Sequence, residues 1–124
     1  MTGKEGENHM RQTPTQQQNI SGAVQAIRSA ENVLTAQINS ATDTLTAIKL
    51  TNAYNHLDSC LSQLLHAQNV TDDATFASAM AAIKSQESGL QSDERALKDL
   101  ISDVDTAAKV VGYIGQALSF IGRI

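Results

Sequence analysis

The most regular pattern of apolar positions in this chain runs from Asp73 to Gly122, where apolar or small residues recur at alternating steps of four and three. The register is kept over the whole stretch, although Glu87 and Glu94 occupy two of the repeating positions. Such a period is typical of a helix that is buried along one side, with coiled-coil character. The pattern therefore predicts a helical block over residues 72–123.

An earlier block with the same spacing is predicted over residues 20–68. Apolar residues repeat from Ile20 to Ile48, and Glu31 is the one polar residue on this stripe. Beyond Ile48 the apolar positions move by roughly 160° around the helix. One straight helix would then present opposite faces in its two halves. Either the helix breaks or bends near Leu50, which we favour, or its halves pack against partners on different sides.

Residues 69–71 carry the clearest turn signal in the chain, because the acidic residues behind them suit the beginning of a helix. Thr71 or Asp72 is the predicted N-cap of the second block. That block contains Gly89 within the polar stretch 84–95, and a glycine inside a helix costs about 1 kcal/mol relative to alanine. The second block is therefore predicted either as one helix with a weak centre or as two helices that meet near Gly89.

These blocks predict an all-α fold: an antiparallel helical hairpin or small helical bundle built from two long helical blocks with coiled-coil-like heptads. Only 3% of the residues are aromatic and there is a single proline, a composition that disfavours a β-sheet protein. We expect one all-helical domain over residues 19–124, with Asn19 or Ser21 as its first cap. Residues 1–18 are polar and aperiodic and are predicted to form a disordered tail.

Charge and composition narrow the class of protein. The formal net charge is −4, the pI is about 5.2 and no basic patch is visible, which argues against a nucleic-acid binder. Cys60 is the only cysteine, so an intramolecular disulfide cannot form. No hydrophobic signal-peptide segment is visible, and the apolar stretch 110–124 is shorter than the roughly 20 residues of a membrane span. We expect a cytoplasmic protein, or one exported by a route that needs no signal peptide.

The C-terminal segment 107–124 carries an unusually broad apolar face. The residues predicted to form its interaction surface are Val110, Val111, Tyr113, Ile114, Leu118, Phe120 and Ile121. Each such side chain left in water forfeits roughly 1.5–3 kcal/mol. The face must therefore be covered by the first block of this chain, by a second copy, by another protein or by a lipid surface. Gly112, Gly115 and Gly122 lie along this segment, and glycines favour close approach between helices.

Motifs for catalysis or cofactor binding are weak. His56 and Cys60 are four residues apart, which suits two metal ligands on one helix face, but no third ligand follows within reach. Cys60 is better explained as a small buried side chain. The sequence contains no phosphate-binding or dinucleotide-binding glycine motif. We therefore expect no enzyme activity, no cofactor, no metal and no small-molecule substrate.

The functional hypothesis that follows is a non-enzymatic helical module for interaction or structure, which self-associates or binds a partner helix through segment 107–124. The alternative is a membrane-active or peripheral membrane protein that uses the same face, with Lys109 and Arg123 suited to lipid headgroups. The acidic residues that precede this segment would repel anionic lipids. Liposome binding separates the two hypotheses.

Overall fold

The computed structural model of this protein describes residues 13–124, and within that range it contains α-helices and no β-strand. The five helices are α1 (Pro14–Ser40), α2 (Thr44–Asn69), α3 (Asp73–Lys84), α4 (Glu87–Leu100) and α5 (Val104–Arg123). Helices account for 88% of the described residues, and no connection exceeds three residues. The predicted all-α class is confirmed.

The helices pack as a small four-helix bundle, in which α3 and α4 together take the place of one helix. α1 packs against α5 and α2, α5 also contacts α4, and α2 contacts both α3 and α4. The side-chain amide of Gln68, near the end of α2, donates to the hydroxyl of Ser21, near the beginning of α1, at 3.2 Å. These two helices therefore run in opposite directions. α3 and α4 follow each other along one corner, and together they match the length of α2 at about 1.5 Å per residue.

One continuous hydrophobic core joins all five helices. Its large side chains are mainly leucine and isoleucine, since the chain holds few aromatic residues. The largest fully buried ones are Ile20, Ile27, Leu34, Leu50, Leu57, Leu64, Ile83, Leu90, Leu97, Ile114, Ile121 and Val110. Burial of each such side chain contributes roughly 1.5–3 kcal/mol, so the bundle is held together chiefly by this core.

The first predicted block divides at residues 41–43, not near Leu50. Asp43 caps α2, where its carboxylate accepts a hydrogen bond from the backbone N–H of Thr46 at 2.8 Å. The change of apolar phase falls inside the continuous helix α2, which turns Leu50 into the core and leaves Leu45 and Ile48 exposed. The side-chain cap at Asp43 thus begins a new helix at a point where the apolar spacing still continues.

The second predicted block divides twice. The first division, at residues 85–86, lies three residues before Gly89, and both of its residues keep helical backbone angles, so α3 and α4 are nearly continuous. The second division, at residues 101–103, was not predicted. There the carboxylate of Asp103 caps α5 by accepting from the backbone N–H of Thr106 at 3.0 Å. The same Asp-x-x-Thr cap begins α2, α3 and α5.

The outer boundaries of the predicted domain also shift. α1 begins at Pro14, before the predicted caps Asn19 and Ser21, because Thr13 and Gln16 form a reciprocal capping box there. The remainder of the predicted tail, residues 1–12, lies outside the described residues. The turn predicted at residues 69–71 lies one residue later, at residues 70–72, since α2 ends at Asn69 and α3 begins after the cap Asp72.

Candidate interaction surface

Three of the seven predicted interaction residues are core residues of the bundle. Val110, Ile114 and Ile121 have no solvent-exposed surface. α1 lies along α5 and covers this face, so the cover is the first block of the chain itself. These three side chains cannot contact a partner while the bundle is closed. The prediction that they form an interaction surface is therefore corrected.

The other four residues, Val111, Tyr113, Leu118 and Phe120, are half-buried along the flanks of the same face. The Phe120 ring lies directly over Gly22 of α1, and a Cβ atom at Gly22 would come within 2.6 Å of the ring Cζ. The Arg123 guanidinium also lies over this ring, 5.7 Å from its centroid. Phe120 thus serves contacts within the chain.

An apolar groove remains open between the end of α4 and the beginning of α5. Its volume is about 710 Å³, and Val104 on its lining is 78% exposed. The lining residues are Lys98, Asp99, Ile101, Ser102, Val104, Ala107, Ala108, Val111 and Gly112. Of the seven predicted residues, only Val111 lines this α4–α5 groove. Residues of the loop 101–103 lie on the lining of this groove, between the two helices.

Two more exposed apolar side chains lie at the same end of the bundle. Leu45 is 58% exposed and Ile48 is 51% exposed, both in the first turns of α2. Residues of the α1–α2 and α4–α5 loops, including Thr42 and Ser102, line one common cavity, which places both loops at this end. Within residues 13–124, Leu45, Ile48 and Val104 are the large hydrophobic residues that stay exposed.

The glycines of α5 do not mediate the predicted close helix approach. A Cβ atom at Gly112 or Gly122 would meet no atom within 4 Å, and one at Gly115 would make an ordinary contact of 3.4 Å with Glu94. The close approaches occur instead at Gly22 and at Gly89, where neighbouring rings occupy the space of a side chain. The sequence pattern placed the glycines correctly on a helix but could not identify what lay opposite them.

His56 links α2 to the corner formed by α3 and α4. Its Nδ1 lies 2.5 Å from a carboxylate oxygen of Asp93, and its Nε2 lies 2.9 Å from the side-chain oxygen of Gln86. The ring sits on Gly89, where an added Cβ would be 2.2 Å from the ring Cε1. Cys60, four residues later on α2, is buried in the core and takes no part in this network.

This network holds α2 against α3 and α4, and we call His56, Asp93 and Gln86 the His56 clamp. The pKa of Asp93 is raised, because the effect of burial outweighs the opposing effects of the His56 hydrogen bond and charge. A cavity of about 590 Å³ lies beside the pair, with Lys49, Asn52 and Asp99 among its lining residues. Both ring nitrogens of His56 are already engaged. Within residues 13–124, no cluster of three or more His, Cys, Asp or Glu side chains is placed to hold a metal ion.

Glu31 is a buried acid, and in the sequence it is the one polar residue on the apolar stripe of the first block. It is 7% exposed and lies in the α1–α2 interface, where burial is the main cause that raises its pKa to about 7. Burial likewise raises the pKa of the Cys60 thiol to about 12, which keeps this cysteine in its unreactive protonated form.

Comparison with protein families, curated proteins and solved structures finds no match to this chain. Over the described range, none of the helices is both long enough and apolar enough to cross a membrane. The site must therefore be interpreted from its own geometry.

Proposed function

We propose that this chain is a non-enzymatic helical interaction module, and that it binds through the α4–α5 groove rather than through the buried face of α5. The observation that carries this proposal is Val104, a large apolar side chain that is 78% exposed on the lining of an apolar groove. Burying one valine on association contributes roughly 1.5–3 kcal/mol. An apolar groove of this kind fits the apolar side of a partner helix.

A second copy of the chain is the partner that the surface favours first. Leu45 and Ile48 lie three residues apart and form a short exposed ridge on α2. They continue the coiled-coil-like spacing of the first block beyond the core. The Leu45–Ile48 ridge of one copy can enter the α4–α5 groove of a second copy. Because this contact joins two different surfaces of the same chain, each copy can bind further copies in the same way.

Sedimentation velocity over a range of protein concentrations tests this proposal. We expect the average mass of the wild-type protein to rise with concentration, and Val104→Glu to remain monomeric. Gln116→Glu is the matched control, because Gln116 is exposed on the same helix outside the groove and gains the same charge. A wild-type protein that stays monomeric throughout would refute self-association. Equal association of the Val104→Glu variant would refute the groove as the contact.

Flotation with neutral liposomes at high salt tests the membrane alternative. Contact between lipid and the three buried residues, Val110, Ile114 and Ile121, requires α5 to separate from α1, because α1 covers them. We therefore expect the folded protein to remain in the soluble fraction. Flotation that is abolished by Val104→Glu and kept by Gln116→Glu would instead favour a lipid surface as the occupant of the groove.

A further inference from the structure

Glu31 occupies a core position of α1 where the surrounding apolar repeat would otherwise place a hydrophobic side chain. The residue is 7% exposed, and its Oε2 is buried with no hydrogen-bond partner within the described part of the chain. The hydroxyl of Thr35 donates to the backbone carbonyl of Glu31 at 2.9 Å and not to its side-chain carboxyl. An ionised carboxylate buried in this way is strongly disfavoured. The site therefore favours a proton on this group.

The groups that face Glu31 reinforce this preference. Asp58 of α2 is the nearest acid, and Tyr54, one turn before it on the same helix, also interacts electrostatically with Glu31. Arg28, one turn earlier on α1, is exposed and acts in the opposite sense. The charged residues of α5, which packs on α1, are all exposed to solvent: Asp105, Lys109 and Arg123. The carboxyl group thus has an acid as its main partner and one solvated cation nearby.

We propose that Glu31 is a proton-binding site in the α1–α2 interface, beside Asp58, which keeps α1 tightly packed while Glu31 holds a proton and loosens α1 when that proton leaves. Asp58 is exposed on α2, and its negative charge disfavours ionisation of the Glu31 carboxyl beside it. A protonated carboxyl can also donate the hydrogen bond that a second carboxylate accepts. Release of the proton from Glu31 leaves a buried negative charge beside the exposed carboxylate of Asp58.

The direction of the pH dependence follows from the two states of Glu31. Its ordinary pKa of 4.5 applies to the unfolded chain, and burial followed by the effects of Asp58 raises the pKa to about 7 in the bundle. The folded state therefore binds more protons between these values, and its stability falls as the pH rises through this window. The loss is complete above about pH 7. A difference of about 2.5 pKa units corresponds to an increase of up to about 300-fold in the unfolding equilibrium constant.

Urea unfolding of the full chain at several pH values between about 5 and 8 tests the proposal. The wild-type protein should become less stable as the pH rises, and Glu31→Gln, which keeps the shape without the charge, should remove most of this dependence. Asp99→Asn is the matched control, because Asp99 is exposed on α4 and distant from this interface. It should keep the wild-type slope. A Glu31→Gln slope equal to that of the wild type overturns the proposal.

Carbon-13 NMR titration of the side-chain carboxyls measures the same site in the wild-type protein and needs no core variant. We expect Glu31 to titrate with a midpoint more than one pH unit above its ordinary value, and Asp58→Asn to lower that midpoint. An ordinary midpoint, or one that Asp58→Asn leaves unchanged, overturns the proposal. Amide exchange corrected for intrinsic rates should lose protection in α1 at high pH and not in α4. Equal behaviour of the two helices would overturn the coupling to α1.

Discussion

Gly89→Ala should destabilise this bundle even though it improves the helix propensity of α4. The His56 ring lies where the new methyl group would stand, with its Cε1 at 2.2 Å and its Nε2 at 2.6 Å from the added Cβ. The ring must therefore move, and the hydrogen bonds of His56 to Asp93 and Gln86 weaken or break. In an ordinary helix interior, the same substitution stabilises by about 1 kcal/mol.

The magnitude follows from these opposing effects. A hydrogen bond to a charged group contributes about 1.5–3 kcal/mol, and a neutral one contributes about 1 kcal/mol. Crowding adds a cost of about 1–3 kcal/mol when a packed side chain is forced to move. Because the ring is partly exposed and can rotate outward, we expect only part of this sum to be lost. After subtraction of the propensity gain, Gly89→Ala should lower the free energy of unfolding by about 1–2 kcal/mol.

A double-mutant cycle with His56→Ala isolates this contact. When the ring is absent, Gly89→Ala should stabilise the protein by up to about 1 kcal/mol, so the sign of the effect reverses. Urea unfolding followed by circular dichroism measures all four proteins. Gly112→Ala is the control, since no atom lies within 4 Å of its added Cβ, and it should stabilise equally in both backgrounds. If Gly89→Ala stabilises the wild-type and His56→Ala proteins equally, the ring does not occupy this space and the clamp is refuted.

Two further predictions concern packing inside the bundle. Gly22→Ala should destabilise the bundle by about 1–3 kcal/mol, because its methyl group would collide with the Phe120 ring. Gly112→Ala should instead stabilise it by up to about 1 kcal/mol, and equal urea midpoints of the two variants would contradict the α1–α5 packing. The Cys60 thiol is buried, and its pKa is raised to about 12. It should therefore react with a thiol reagent on the order of 1,000-fold more slowly in the folded protein than in urea. Rapid labelling of the folded protein would contradict the position of Cys60 in the core.

The sequence alone determined the class of the fold and much of its helical content. Apolar spacing of four and three along most of the chain identifies helices, because only one face of each helix can reach the core. Local hydrogen bonds also leave a readable signal. The Asp-x-x-Thr caps at Asp43, Asp72 and Asp103 mark three helix beginnings. Of these three, only Asp72 is among the N-caps predicted from the sequence. The division at residues 101–103 was therefore predictable from local chemistry.

The tertiary structure decided which apolar side chains are buried and which stay available. The sequence left open what covers the apolar face of segment 107–124. In the structure α1 covers Val110, Ile114 and Ile121, since the division at residues 41–43 lets α1 lie along α5. The spacing within one helix shows where its apolar face lies and contains no information on which helix meets that face. For the same physical reason, only packing revealed that His56 occupies the space over Gly89 and that Glu31 faces Asp58.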